Sequence, residues 1–109
     1  MLKKLMSLIE PQQPQPLPLF SIGELRYSQK VRLLEDLGLI DPLRFVQRHC
    51  RGDWGDLDLP GKNGNATALQ EEGVLTSSYR ITPRMTLTVV TDESRSVTAV
   101  FLPDEPSMI

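Results

Sequence analysis

A single histidine, His49, shares a stretch of chain with Arg44, Arg48 and Arg51, and a later turn sets Arg95 beside Ser96 and Thr98. These residue types suffice for metal-independent RNA cleavage. Attack by a 2′-hydroxyl needs a base, a cation facing the developing phosphorane charge, and an acid for the leaving oxygen. An imidazole with an ordinary pKa of about 6.5 serves as either base or acid. Arg95 can clamp a phosphate bidentately, Ser96 and Thr98 can donate hydrogen bonds, and Arg44, Arg48 and Arg51 would form a phosphate track. The scheme requires His49 and Arg95 to lie about one phosphate apart in an open cleft. Plainer roles compete with it. His49 can bond the last carbonyls of a helix that stops at Gly52, its charge favoured by the helix dipole. Arg95 can pair with Asp92 or Glu93 within its own turn.

A second set of residues points to binding without catalysis. Gly52-Asp53-Trp54-Gly55 is a tight turn that holds an aromatic between two permissive glycines. Tryptophan is a strong interface anchor, although in a thin core the same ring serves as a plug. Asp53 is placed to cap backbone amides within that loop. Asp53, Asp56 and Asp58 lack the spacing of a calcium-binding loop, so they read as a solvated acidic loop and no metal is expected. No glycine-rich loop follows a strand, and no cofactor is expected either.

The elements carrying these residues follow from periodicity and caps. Ser28 to Leu37 places Val31, Leu34 and Leu37 on one helical face, with Gly38 as the stop. Asp41-Pro42 opens a second helix, in which Leu43, Val46 and Cys50 face the core, the three arginines lie on another face, and His49 is on the flank. The linker between these helices is also of helix-turn-helix length, but its Leu39 and Ile40 suggest a buried connection and the chain is net negative. Gly52 to Gly64 reads as a loop, and Asn65 as the cap of a short helix through Glu72. The period then changes to two: Val74–Ile81, Met85–Val90 and Ser96–Leu102 read as strands joined by short turns, hence antiparallel. The expected fold is α+β, with two to three short helices packed on one face of a three-stranded antiparallel meander.

Residues 1–18 stand apart. Leu2, Leu5, Met6 and Ile9 fall on one helical face, and Pro11, Pro14, Pro16 and Pro18 make the following stretch an extended tether. The expected domain is 19–103, with 104–109 as a disordered tail. The balance of 12 basic against 14 acidic residues gives net −2, so no global field selects nucleic acid. The distribution is uneven, however, and leaves RNA open at the Arg44/Arg48/Arg51 face. One cysteine excludes an internal disulfide, and no apolar stretch approaches the ~20 residues of a membrane span. A cytoplasmic protein without membrane contact is expected. The thin core makes self-association, such as a homodimer, or another protein partner plausible.

Arg48-His49-Cys50-Arg51-Gly52-Asp53-Trp54-Gly55, with Thr91-Asp92-Glu93-Ser94-Arg95-Ser96 and Phe101-Leu102-Pro103, resembles a family of short uncharacterised bacterial proteins carried on plasmids and other mobile elements, which have RHxxGDWG and TEADRS-like motifs. Asn65, Ala68, Leu69, Gly73, Ser77 and Tyr79 fall at matching spacing, and the likeness spans roughly 19–103. The chain departs from the family at Leu59-Pro60-Gly61 and at Thr88. The resemblance implies a mobile-element context and no established activity. The combined expectation is a mobile-element accessory protein acting as a non-catalytic interaction or regulatory module. The alternative is a toxin-like ribonuclease using His49 and Arg95.

Overall fold

A computed structural model describes residues 17–106. The expected apolar face over 2–9 and most of the proline-rich tether lie outside the described residues. The chain runs β1 (Glu24–Tyr27), α1 (Gln29–Asp36), α2 (Pro42–Cys50), α3 (Leu59–Glu71), β2 (Leu75–Thr82), β3 (Met85–Thr91) and β4 (Val97–Phe101). The α+β class holds, but the sheet has four strands in the order β1-β4-β3-β2. β2, β3 and β4 form the antiparallel meander, while β1 adds in parallel beside β4, pairing Leu25 with Thr98 and Tyr27 with Val100. The three-stranded expectation is therefore corrected to a mixed four-stranded sheet. β1 has only four residues, two of them charged, and its partner lies some 70 positions along the chain, so local patterning does not announce it.

Strand alternation sorts the core. Leu75, Ser77 and Tyr79 of β2, Leu87, Val89 and Thr91 of β3, and Thr98 and Val100 of β4 are buried and point to one face. Val31 of α1 and Val46 of α2 complete a cluster with Tyr79, Leu87, Val89 and Val100. Trp54 and Ala68 pack with Leu75 near the start of β2. Ser28 caps α1 by accepting from the Val31 amide, and its hydroxyl donates to Glu105. Glu105 also accepts from the Leu102 amide, and Asp104 pairs with Lys30. Asp104 and Glu105, placed by the sequence reading in a tail, thus contact the start of α1.

Two further boundaries differ from the sequence reading. α3 starts at Leu59, with Asp58 accepting from the Gly61 amide as N-cap and Pro60 in the first turn. Pro60, Gly61 and Gly64 suggested a loop, but a proline is tolerated in the first turn, where amides lack partners anyway. Asn65 is consequently a buried mid-helix residue and not a cap. In α2 the buried residues are Pro42, Val46 and His49. Leu43 is 46% exposed and Cys50 half-buried, so the helix is turned to send the histidine inward. Leu37 and Leu39, expected on the core face of α1 and in a buried connection, are each 62% exposed, because the chain beyond Asp36 runs on the surface.

β2 is an edge strand, yet its outward backbone is paired. The Asn65 amide brackets Thr76, donating to its carbonyl and accepting from its N–H. Ser78 N–H donates to the Trp54 carbonyl, Asp56 N–H donates to the Ser78 carbonyl, and Asp56 carboxylate accepts from Arg80 N–H. The GDWG loop therefore acts as a short fifth strand, with Gly55 bridging Ser78. Gly55 has φ +71°, and a Cβ there would meet the Ser78 carbonyl at 2.2 Å and the Tyr79 ring at 2.5 Å. Gly38 also has positive φ but faces open space. Gly38→Ala is expected to cost about 1 kcal/mol, the left-handed backbone penalty alone. Gly55→Ala should cost about 3 kcal/mol or more because backbone must also move. Urea denaturation of the two variants checks the ordering.

Candidate functional site

His49 is placed by α2 and received by three segments of the sheet side. Its side chain is fully buried. Nδ1 lies 2.5 Å from Ser77 Oγ and Nε2 3.0 Å from Thr91 Oγ1. Thr91 Oγ1 is 2.6 Å from Thr98 Oγ1, and Thr98 Oγ1 donates to the Ile22 carbonyl at 2.7 Å. The terminal carbonyl can only accept, which sets the direction of the whole chain. Thr98 spends its proton on Ile22 and accepts from Thr91. Thr91 then accepts from His49 Nε2–H, and Nδ1 accepts from the Ser77 hydroxyl. The imidazole is neutral, in the Nε2–H tautomer, with both nitrogens engaged. Burial pushes its pKa down to about 4, with Arg95 adding to the shift.

Aromatic rings close the site. Phe20 meets the imidazole edge-on with centroids 5.2 Å apart, and Trp54 does so at 5.6 Å. Phe20 and Trp54 stack at 6.3 Å. Trp54 is 9% exposed, so the indole lies in the core and does not project as the interface anchor considered from the sequence. The plug role describes its placement.

Arg95 lies over Phe20, its guanidinium carbon 5.7 Å from that ring centroid. Its donors go to the carbonyls of Gly73 (2.6 Å), Asp92 (2.9 Å) and Ala68 (3.0 Å). The side chain thus caps the C-terminal end of α3, where a cation is favoured by the helix dipole. Its partners in the turn are backbone oxygens, not the Asp92 or Glu93 carboxylates. Ser96 is bound by Asp92 through both its amide and hydroxyl. Asp92 also accepts from Val97 N–H and Ser94. These donors, the Ser96 hydroxyl first, hold its pKa down at about 2.

The structure therefore brings His49, Arg95 and Thr98 into one neighbourhood, but as interior packing. The open cleft required for RNA cleavage is not at His49. A shallow concavity of about 480 Å³ lies elsewhere, lined by Asp56, Arg80, Ile81, Thr82 and Pro83. The arginine track is divided too. Arg48 pairs with Asp53 at 2.7 Å and stacks over Tyr79 at 4.7 Å, while Arg44 is exposed and Arg51 half-buried. Hydrogen bonding to Arg48 holds the Asp53 carboxyl below its ordinary range, and the second Asp53 oxygen accepts from Gly55 N–H. Burial pushes the Tyr79 hydroxyl up to about 12, and it donates to the Asp53 carbonyl. Asp53, Asp56 and Asp58 thus hold three separate backbone sites. Sequence reasoning did not single out Phe20, and named Asn65, Ser77 and Thr91 only as cap or motif positions, without their buried hydrogen bonds. Ser77 and Thr91 do stand on the inward parity of their strands, where polar residues need a buried partner. Compared with family models, curated proteins and solved structures, the chain matches none.

The neutral histidine has a signed consequence. In the unfolded chain it titrates at about 6.5, and in the fold at about 4. Between those values the unfolded state binds more protons, so stability falls as pH drops. The loss should approach about 3 kcal/mol by pH 4, from the two-and-a-half-unit difference. The carboxylates held low, such as Asp92, act only below about 4. Being the sole histidine, His49 gives one imidazole signal by NMR, expected to titrate near pH 4. Arg95→Gln should move that midpoint upward by removing the nearby cation; an unchanged midpoint would refute the coupling.

Proposed function

We propose that this chain is a non-catalytic protein-interaction module and that its contact surface is the segment from α1 through the start of α2. The carrying observation is a concentration of exposed leucines: Leu33 (57%), Leu37 (62%), Leu39 (62%) and Leu43 (46%). Isolated exposed leucines need no explanation, but four within eleven consecutive residues resemble the apolar centre of a binding patch. Leu33 and Leu37 are four residues apart, so they share one helical face. Lys30, Arg32, Glu35 and Asp36 are also exposed here, and their mixed charge favours a protein surface over a phosphate backbone. The partner is another protein presenting an apolar surface, or a second copy using the same segment.

What supports a non-catalytic role over RNA cleavage is the commitment of His49. A catalytic imidazole must reach a substrate proton, whereas this one is enclosed by Phe20 and Trp54 with both nitrogens occupied. The mobile-element setting rests on the motif resemblance alone.

A photo-crosslinking residue at position 37 of the full chain, in living cells, is expected to give a discrete protein adduct that Leu33→Asp abolishes. The same probe at Arg84, in the β2–β3 turn, should give none. Purified protein should leave RNA intact. RNA cleavage that His49→Ala removes, or adducts independent of probe position, would overturn the proposal.

A further inference from the structure

The two edges of the sheet differ. β2 has its outward backbone groups covered, whereas β1 does not. β1 lies parallel to β4, and the amides of Glu24 and Ser28 donate toward that side, to the Ser96 and Val100 carbonyls. Backbone alternation turns Arg26 the same way and leaves the N–H and C=O of Leu25 and Tyr27 directed away from the sheet. Among the described residues, nothing bonds to these outward groups. The side chains alternate as well. Glu24 and Arg26 are exposed, while Leu25 and Tyr27 are half-buried against the helix-side core. Glu24 and Arg26 thus share one face, where they form an ion pair along the strand at 2.7 Å.

We propose that the β1 edge joins two copies of this chain. Each β1 lies antiparallel to the other about a two-fold axis at Leu25, and the two four-stranded sheets become one continuous sheet. The charge pattern selects this register. With the axis at Leu25, Glu24 faces Arg26 of the second copy, and Arg26 faces its Glu24. Moving the axis to Glu24 or to Arg26 sets two like charges face to face. An axis at Tyr27 would oppose Leu25 with Gln29, which is already helical. Axes between residues would match outward groups with inward ones. In the chosen register the two Leu25 residues exchange backbone hydrogen bonds on the axis, and their side chains meet on the helix side. The Glu24–Arg26 pairs are then of the non-hydrogen-bonded kind, with Cα atoms about 4.5 Å apart and side chains close together. Opposite charges stabilise such pairs, and like charges destabilise them.

The helices leave room for this pairing. α1 packs over β4, and α2 over β2 and β3. In the dimer the two β4 strands stand three strand spacings apart, about 14 Å. A packed helix is about 10 Å across, so the two α1 helices fit side by side above the seam. Charges on an edge strand commonly prevent pairing. One sign at both positions would do that against every copy, whereas Glu24 and Arg26 complement each other in a single register. A strand of unrelated sequence lacks this match. The seam is short and falls below the ~800 Å² per partner of a standard interface, so the dimer is reversible and depends on concentration. It is separate from the leucines of α1 and α2, and stands whether or not they bind a partner.

Sedimentation equilibrium of the full chain, up to roughly millimolar protein, reads the dimerisation constant. Wild type is expected to associate. Glu24→Arg sets arginine opposite arginine, and Arg26→Glu sets glutamate opposite glutamate. Each should weaken association about tenfold or more. An equimolar mixture of these two variants should associate again, because every arginine of one then faces a glutamate of the other. Mixing cannot repair a misfolded chain, so this rescue separates pairing from folding. Glu24→Arg/Arg26→Glu in one chain reverses both charges and should dimerise as wild type does, with unchanged Trp54 fluorescence. A wild-type monomer at every concentration overturns the proposal, as does a mixture that stays monomeric. So does a dimer that both single variants retain; its loss with Leu33→Asp would assign association to the leucines.

Discussion

The fold is organised around one neutral imidazole whose hydrogen bonds run in a fixed direction. The Ile22 carbonyl at the end of the relay can only accept, and this forces each hydroxyl before it to donate forward and accept from behind. Protonating His49 would leave Nδ1–H facing a hydroxyl that already points its own proton there. The relay ties α2 to β2, β3 and β4, and then to the segment entering β1. Among the described residues, no buried side-chain nitrogen or oxygen lacks a partner. That satisfaction allows a thin core to contain a histidine, a serine and two threonines without the desolvation penalty of orphaned polar groups. Phe20 and Trp54 keep water from competing for the same bonds.

The motif most suggestive of chemistry turns out to be architectural in its contacts. In Arg48-His49-Cys50-Arg51-Gly52-Asp53-Trp54-Gly55, the histidine enters the relay and the tryptophan covers it. Asp53 fastens Arg48 and the Gly55 amide, and Gly55 lets the loop lie against β2. The same residues therefore seal the interior and occupy an otherwise open sheet edge. Unpaired edges template association with other strands, and here Thr76, Ser78 and Arg80 have their outward groups taken by Asn65, Trp54 and Asp56.

What was legible in the sequence was local. Ser28 before Val31 and Pro42 at the first position of α2 are start signals whose physics is contained within one turn, although Asp41 makes no side-chain capping bond, and the alternation in β2 to β4 is strong because its neighbours are a short turn away. β1 was not legible: two cycles of alternation are too few, and its parallel partner is remote. α3 was misplaced because two glycines outweighed the Asp58 cap and the first-turn proline. The inward turn of α2 was hidden for a different reason. A histidine is read as polar until its partners are known, and Ser77 and Thr91 are supplied by strands 28 and 42 residues away.

The parallel seam between β1 and β4 has a temporal meaning. Thr98 bonds Ile22 across 76 positions, and Glu105 meets Ser28 across 77. Contacts of such separation form late, since a long loop must close before they return anything. During synthesis, β1, α1 and α2 emerge long before β4 exists to receive them. Val31, Val46 and the imidazole of His49 must wait in water through most of translation. The early half of this chain is thus a dependent client of its own later half, and the interval between them is when it is most open to chaperones and proteases.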